Sequence, residues 1–323
     1  MDRVVFVVTG GMGKNIMGTV PLRGIRLKYP DAKITVVAAH PEVFRNNPNA
    51  NELFGMQAAP NFHENHRGAL FLQGEAYHHP EYIAGKKHLT ECWCERIGVP
   101  FDDLKPDLFL NDLEIERGKD WIRSKNRPVL VMQWQGGGAP KVNQEGQVVA
   151  MPGKMFIRNL HHKVAQNLVM SLKDKYHIVC LEHTSQPHLQ GTEVLNTGLR
   201  DVFSVIKSAN KVLCIDSFCM HVCAALKKKA TVLWCATSPD RLGYPDQNNL
   251  RMKVCPDPEC GRPDSFVIDV DFKGEPWQCP HGEPCTKHDE KDVLDSIVGG
   301  NSKKPKPEKT KVDGITPGKM DGI

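Results

Sequence analysis

The stretch that decides the fold is residues 211–246, which reads KVLCIDSFCMHVCAALKKKATVLWCATSPDRLGYPD. Its apolar run at 212–215 is short and is followed at once by Asp216 and Ser217, two residue types that commonly begin helices. A helical pattern then leads to a second apolar run at 230–236. A strand, a helix and a strand in this order predict a parallel βαβ unit.

The same alternation extends through the second half of the chain. Apolar runs at 128–133 and 177–181 predict further strands, and helical patterns at 162–175 and 202–208 accompany them. We therefore expect residues 121–300 to form one α/β lobe with a parallel sheet.

The first half of the chain begins with another unit of this kind. The predicted elements are strands at 4–9, 33–39 and 108–110 and helices at 14–29 and 88–97. We expect residues 1–120 to form a second α/β lobe, with a linker at 111–127 between the two. Since ligands bind at the carboxyl ends of parallel strands, the cleft between the lobes is the expected active site.

The composition is that of a soluble globular protein. The chain has 323 residues, which exceeds what one core usually serves, and its 40% hydrophobic and 25% charged content excludes global disorder. No run of about 18 apolar residues and no signal-peptide pattern is present, so we expect no membrane segment and a cytoplasmic location. The odd count of 11 cysteines, several within apolar runs, predicts reduced and buried thiols.

Most of the net charge of +4 lies at the C-terminus. Residues 301–323 hold six lysines against three acidic residues and no aromatic residue. Such a segment cannot bury enough apolar surface to order itself, so we predict a disordered basic tail. An electrostatic contact with DNA or RNA is the alternative role.

The glycine loop at 10–13 fits neither common phosphate motif. A Walker A loop would need glycine at position 8 and Ser or Thr at position 15, where Val8 and Asn15 stand. A dinucleotide fingerprint that starts at Gly11 would need glycine in place of Ile16. The loop either allows close backbone approach to a ligand or makes a tight turn without one.

The start of the helix after residue 215 is the best anion site in the sequence. Free N–H groups and the helix dipole favour an anion such as a nucleotide diphosphate there. Ser217 and His221 are four residues apart and share one side of the first turns. We predict that donor phosphate binds at Asp216, Ser217 and His221. The alternative is that Ser217 or Asp216 caps the helix and that His221 is satisfied in the core.

Two groups of motifs occur in a familiar order and spacing. The first group is GMGK at 11–14, TVPL at 19–22 and YPDAKITV at 29–36. The second group is Asp216-Ser217, Met220-His221, Ala224-Ala225, Thr231-Val232 and Ser238-Pro239-Asp240. Together they resemble the amino-terminal and donor-site signatures of the heptosyltransferases and their relatives, glycosyltransferase family nine.

This resemblance implies a GT-B fold, in which two Rossmann-like lobes with parallel sheets enclose a cleft. The acceptor is then bound mainly by the first lobe and the nucleotide-diphosphate sugar by the second. Transfer is implied to be inverting and metal-independent, so that catalysis requires no cofactor. The implied donor-binding residues are Gly11, Gly13, Gln135, Gly136, Arg158, Asp216, Ser217 and His221, with residues 135–138 as the first donor loop.

Two positions depart from the family's pattern. Lys14 stands where the family usually has an aspartate, so the expected general base is missing, and Phe218 replaces a glycine beside the phosphates. We expect Lys14 to contact the donor diphosphate or developing negative charge, because a lysine is a poor base unless burial lowers its pKa. A solvated lysine at a helix start is the alternative. The candidate substitute bases in the first lobe are Glu75, His78, His79 and Glu91.

A cluster of cysteines follows the last donor loop. Its members are Cys255, Cys260, Cys279 and Cys285, with His281 and His288 close by. Four thiols could hold Zn²⁺ in a tetrahedral site, although the spacing departs from the short knuckle of two cysteines separated by two residues. We predict that the four are reduced and close together, either with a structural zinc ion or without a metal.

The leading prediction is therefore a glycosyltransferase that moves a sugar from a nucleotide-diphosphate donor to a hydroxyl of a glycan or lipopolysaccharide. One alternative is a viral-type DNA glycosyltransferase acting on a hydroxymethylated base, for which the basic tail is the sole support. Another is a sugar-nucleotide binding protein that lost catalysis together with its aspartate.

Overall fold

The computed structural model describes residues 1–57, 59–136, 158–182, 186–252, 255, 279 and 281–299, and the backbone of 141–142 and 148–150. The predicted basic tail at 301–323, Cys260 and residues 137–138 lie outside these described residues. No helix of the described part is long and apolar enough to cross a bilayer.

The first lobe is built around one parallel sheet. Its strands are β1 (Arg3–Val8), β2 (Lys33–Ala38), β3 (Glu52–Gly55) and β4 (Leu70–Leu72). Its helices are α1 (Met12–Met17), α2 (Thr19–Lys28), α3 (Phe62–Asn65), α4 (Pro80–Ile83) and α5 (Leu89–Ile97), with 3₁₀ turns at Pro41–Phe44 and Ala76–His78. The strand order is β3-β2-β1-β4, and every pairing is parallel.

The second lobe holds a larger parallel sheet. Its strands are β5 (Val129–Gln133), β8 (His177–Cys180), β9 (Glu193–Val194), β10 (Lys211–Ile215), β11 (Thr231–Trp234) and β12 (Asn248–Arg251), and β6 (Lys141–Val142) and β7 (Val148–Ala150) form a separate antiparallel pair. The helices are α6 (Asp112–Arg123), α7 (His162–Leu172), α8 (Leu199–Ser208), α9 (Phe218–Ala225), α10 (Pro239–Leu242) and α11 (Glu290–Val298), with a 3₁₀ turn at Pro284–Thr286. The strand order is β12-β11-β10-β5-β8-β9.

The predicted α/β architecture of two lobes with parallel sheets is confirmed. The central strand β5 is buried at every residue, which explains why its sequence VLVMQ is almost continuously apolar. In β1 the residues Val4, Phe6 and Val8 point into the first core, where the ring of Phe6 lies 6.2 Å from that of Trp93.

The helix predicted over 14–29 is in fact two helices that meet at Gly18. Pro21 is the third residue of α2 and has no N–H group, so it fits only in a first turn, where N–H groups have no partner within the helix. A new helix therefore begins at Thr19.

The strand predicted at 108–110 is wrong. The carbonyl of Phe109 accepts a hydrogen bond from the side chain of Arg200, with Nη2 and O 2.5 Å apart, instead of pairing with a strand. The segment predicted as a linker, 111–127, contains α6, which begins with a capping box between Asn111 and Glu114. The predicted lobe boundary at residue 120 falls inside this helix, and the limits of the lobes stay a prediction.

Arg200 on α8 connects the two lobes. Its Nε and Nη2 donate to Oε1 and Oε2 of Glu114 at 2.7 and 2.6 Å, and both side chains are buried. Its Nη1 also donates to the carbonyl oxygen of Glu42, in the first lobe, at 3.2 Å. The hydrogen bonds from Arg200 lower the pKa of Glu114. One guanidinium therefore binds the first lobe, the segment before α6 and α6 itself.

Candidate functional site

A cleft of about 760 Å³ lies between the lobes. It is lined by residues that follow the carboxyl ends of β1, β5, β8 and β10, which is where ligands bind in open α/β sheets. The structure thus places a cavity where the sequence predicted the active site.

Most of the predicted site residues line this cleft. From the first lobe they are Gly11, Gly13, Lys14 and Glu75, and from the second they are Gln135, Arg158, Asp216, Ser217 and His221. Gly136 lies directly beside it, since a β-carbon added there would lie 3.1 Å from Oγ of Ser217. The backbone N–H of Gly136 donates to Oδ1 of Asn159 at 2.9 Å, which fixes this loop against Ser217.

Three of the four candidate bases are not brought to the cleft. Nε2 of His79 lies 3.3 Å from Oε2 of Glu95, and its Nδ1 accepts a hydrogen bond from the N–H of Glu81. Glu91 lies on α5 and forms an ion pair with Lys87, which precedes the helix. Neither Glu91 nor His78 is part of the described cleft lining. Of the four, Glu75 alone contributes to the cavity wall.

Asp216 is a buried acid at the end of β10. Asp216 is only 2% exposed, and its Oδ2 has no hydrogen-bond partner among the described residues. Burial raises the pKa of Asp216, while the positive charge of Arg158 acts in the opposite direction. A buried acceptor without a hydrogen-bond partner destabilises the ionised form of the acid.

The start of α9 is organised by Gln133, the last residue of β5. Its Nε2 donates to Oγ of Ser217 at 3.1 Å, and its Oε1 accepts from the N–H of Cys219 at 3.3 Å. Ser217 occupies the N-cap position without a side-chain cap bond of its own. One of the N–H groups that the sequence left for an anion is therefore already bound, and Ser217 is held facing the cleft.

His221 is buried beneath the glycine loop. Its Nδ1 lies 2.7 Å from the hydroxyl of Tyr244, and desolvation by burial lowers its pKa to about 3. The imidazole is therefore neutral at pH 7. His221 is buried and also lines the cleft, and its contact with donor phosphate stays a prediction.

Lys14 forms an ion pair with Glu75. Its Nζ lies 2.5 Å from Oε2 of Glu75, while Oε1 of Glu75 accepts from the N–H of Tyr77 at 3.3 Å. The ammonium group also lies 5.6 Å from the centre of the Trp93 ring. Lys14 is not a solvated lysine, since only 10% of its side chain is exposed.

The cleft includes residues that sequence reasoning missed. Glu182 follows β8, and its two carboxylate oxygens accept from Nε1 of Trp134 at 3.2 Å and pair with Nδ1 of His188 at 3.0 Å. Gln133 and Glu182 each sit at a strand end, a signal that could have found them. Tyr244 contacts the cleft residue His221 through its hydroxyl, and no pattern in the sequence indicates this contact.

The cysteine cluster is described in part. Cys255 and Cys279 are half-buried, Cys285 is buried, and Cys260 is outside the described residues. Within the described part, no group of three or more His, Cys, Asp or Glu side chains could hold a metal ion. The zinc site and the proximity of the four thiols therefore stay predictions.

Comparisons with known proteins bear on this cleft. Residues 154–263, which include Arg158, Asp216, Ser217 and His221, match the model of glycosyltransferase family 9 (heptosyltransferase). No curated protein matches the chain.

Three solved structures are similar in fold. A family 9 glycosyl transferase from Veillonella parvula has a TM-score of 0.58 at 15% identity, covering 91% of this chain and 95% of its own. The ADP-heptose lps heptosyltransferase II of E. coli has a TM-score of 0.58 at 16% identity, covering 83% and 97%. The iron-containing dodecameric glycosyltransferase TibC of enterotoxigenic E. coli has a TM-score of 0.59 at 12% identity, covering 88% and 72%. The predicted GT-B fold is confirmed.

Proposed function

We propose that this cleft moves a sugar from a nucleoside-diphosphate sugar to a hydroxyl acceptor, which the match of residues 154–263 to the model of glycosyltransferase family 9 supports. The transfer proceeds with inversion and requires no metal ion. One observation carries the proposal: Lys14, Arg158 and the turn between β10 and α9 converge on a single cavity between the lobes.

The donor diphosphate fits the second-lobe side of the cleft. Arg158 supplies a positive charge, and the N-terminus of α9 supplies backbone N–H groups and the positive end of its dipole. Asp216 would repel phosphate when ionised and its Oδ2 is buried, so we assign the phosphate contacts to Arg158 and the start of α9 and not to Asp216. This refines the predicted phosphate site, in which Asp216 was grouped with Ser217 and His221.

Charge development at the leaving group explains the metal-free proposal. As the bond between the anomeric carbon and the phosphate breaks, negative charge grows on the departing diphosphate and must be stabilised. Lys14 and Arg158 face the cleft from opposite lobes and supply two cations for this purpose. Side chains thereby fill the role that a divalent metal ion has in other transferases.

We take ADP-heptose as the first donor to test, because one of the similar structures is named for it. The proposed acceptor is a glycan or lipopolysaccharide hydroxyl bound on the first-lobe side. Modified DNA is the alternative acceptor, and the observation that favours it is the basic segment at 301–323, which lies outside the described residues. We also propose that the protein acts in the cytoplasm.

The test combines donor binding with turnover. Calorimetry with ADP and ADP-heptose should show binding that Arg158→Ala weakens about tenfold or more, the usual scale for a lost charge-assisted contact of about 1.5–3 kcal/mol. Arg117→Ala is the matched control, since Arg117 is exposed on α6 and pairs with Asp201 away from the cleft.

Release of nucleoside diphosphate should then be followed with lipopolysaccharide lacking heptose, with hydroxymethylated DNA and with buffer alone. Transfer to lipopolysaccharide supports the proposed acceptor, and transfer to DNA overturns it. Donor binding without release under any condition would indicate a binding protein in place of a transferase.

A further inference from the structure

We propose that Glu75 is the general base of this reaction and that Lys14 is its positioning residue. The inference rests on the proposed function and deepens it by naming the group that takes the proton from the acceptor. It starts from the ion pair between the two side chains at the first-lobe wall of the cleft, where the acceptor is expected.

Glu75 is the one acid of the described cleft lining that remains accessible. Its side chain is 42% exposed, and both carboxylate oxygens keep lone pairs beyond the single hydrogen bond that each accepts. Asp216 is buried on the opposite lobe, and the Glu182 side chain is 4% exposed with both oxygens engaged by Trp134 and His188. An incoming hydroxyl can therefore reach Glu75 and not these two acids.

The described cleft lining also contains two histidines, which are the other side chains that could act as a base. His221 is buried under Gly13, with one ring nitrogen at the hydroxyl of Tyr244. His40 is the other histidine in the described lining and comes from the first lobe. His40 is half-buried, and it is the competitor that an experiment must separate from Glu75.

Lys14 holds the carboxylate in one orientation. Its ammonium binds Oε2, and the backbone N–H of Tyr77 binds Oε1, so the plane of the carboxylate is fixed at two points. The stem of Lys14 packs beside Gly10, where an added β-carbon would lie 3.1 Å from Cδ of Lys14. Gly10 also has a φ of +88°, a backbone conformation that favours glycine. Both this conformation and the closeness of the Lys14 side chain therefore favour glycine at position 10.

The acceptor oxygen forms a bond to the anomeric carbon while its proton moves to the carboxylate of Glu75. The bond between the anomeric carbon and the phosphate oxygen breaks, and its electron pair leaves with the nucleoside diphosphate. Glu75 ends protonated and returns the proton to solvent. No oxidant, reductant or further reactant is required.

The experiment compares Glu75→Gln with wild type, using ADP-heptose and following ADP release. Glutamine keeps the size of the side chain, and its single amide oxygen can still accept one of the two hydrogen bonds that Lys14 and Tyr77 donate to Glu75. We expect kcat to fall about 10²–10⁴-fold, the range for loss of a general base, while the affinity for ADP stays within about threefold. Glu91→Gln is the control, because Glu91 lies outside the cleft and pairs with Lys87.

A second arm uses sodium azide as the acceptor. Azide is a nucleophile that carries no proton, so its attack on the anomeric carbon needs no base. We expect azide to restore ADP release in Glu75→Gln with formation of a glycosyl azide. A residue with a merely structural role would show no such rescue.

The outcomes separate the two proposals. If wild type turns over and Glu75→Gln keeps more than about a tenth of its kcat, or if His40→Asn shows the loss and the azide rescue instead, the assignment of Glu75 is overturned. If wild type neither binds ADP nor releases it from any sugar donor, the proposed function itself fails.

Discussion

His221 and Gly13 lie against each other across the cleft. A β-carbon added to Gly13 would lie 3.0 Å from Cδ2 of His221 and 3.4 Å from its Nε2. The glycine loop of the first lobe therefore packs directly on the helix that carries the predicted donor histidine. The sequence suggested ligand approach or a tight turn for this loop, and the structure adds close approach of the two lobes.

We predict that Gly13→Ala disturbs the contact between the lobes. Alanine favours a helix by about 1 kcal/mol, but overpacking at a tight contact costs about 1–3 kcal/mol, so His221 or the lobe must move. Turnover should fall about tenfold, a change of about 1.4 kcal/mol in the barrier. Gly55→Ala is the control, because nothing lies within 4 Å of an added β-carbon there and Gly55 is outside the described cleft lining. Equal effects of the two substitutions on kcat/KM would contradict this explanation.

Tyr244→Phe should destabilise the protein by leaving Nδ1 of His221 without its partner. The lost contact is the 2.7 Å hydrogen bond to the tyrosine hydroxyl, and an unsatisfied buried polar group costs about 1–3 kcal/mol. Denaturant unfolding at pH 7 measures the loss. Tyr29→Phe is the control, because Tyr29 is half-buried at the end of α2. A Tyr244→Phe protein as stable as the control would show that the hydrogen bond contributes nothing.

Stability should decrease in mild acid because three buried histidines are neutral in the folded chain. Burial lowers the pKa of His221 to about 3 and the pKa values of His88 and His288 to about 4, against an ordinary value of 6.5. Between pH 6.5 and about 4 the unfolded chain binds protons that the folded chain does not, so the free energy of unfolding falls as pH falls. Each histidine contributes a slope of up to about 1.4 kcal/mol per pH unit, and the raised pKa of Asp216 acts with the opposite sign.

Unfolding curves between about pH 7.5 and 4.5 test this expectation. His88→Asn should reduce the slope of the unfolding free energy against pH, because it removes one group that binds a proton only in the unfolded chain in this pH range. An identical slope in His88→Asn and wild type would mean that His88 does not titrate in this way.

Lys14 should matter for turnover and not for folding alone. We predict that Lys14→Ala lowers kcat about tenfold to a thousandfold, since the variant loses both a cation facing the diphosphate and the group that orients Glu75. Lys14→Asp places two carboxylates together and should be less active still. If Lys14→Asp is more active than wild type while Lys14→Ala is unchanged, the lysine has no catalytic role.

The zinc prediction is tested by metal analysis of protein purified without chelator. A structural site should hold about one equivalent of zinc, and Cys279→Ser should remove it, because a tetrahedral site needs four ligands. Cys92→Ser, in the buried core of the first lobe, is the control. Less than about a tenth of an equivalent of zinc would contradict the metal site.

The strand ends were the most predictable part of the site. Asp216 and Ser217 follow an apolar run that the alternation of elements predicts as a buried strand, so their place at the cleft follows from the topology of a parallel sheet. Two further signals in the sequence indicate helix starts that the predicted elements lack. Pro21 marks a helix start, and Asn111 with Glu114 three residues later is a capping box.

Other features could not be predicted from local patterns. The pairing of Lys14 with Glu75 joins residues 61 positions apart through a segment of weak periodicity. The contact between Gln133 and the start of α9 spans 86 positions and depends on how two strands are registered in the sheet. Such contacts belong to the tertiary arrangement, because no spacing within one element encodes them.

Arg200 has a consequence for protein engineering. Its guanidinium binds the carbonyl oxygens of Glu42 and Phe109 as well as the carboxylate of Glu114. A chimera that joins this second lobe to a first lobe from another transferase would have to present two carbonyl groups at the same points. Otherwise a buried cation loses part of its hydrogen bonding, at a cost comparable to that of a destabilising core mutation. The lobes of this chain are therefore matched to each other, and exchanging one requires redesign around Arg200.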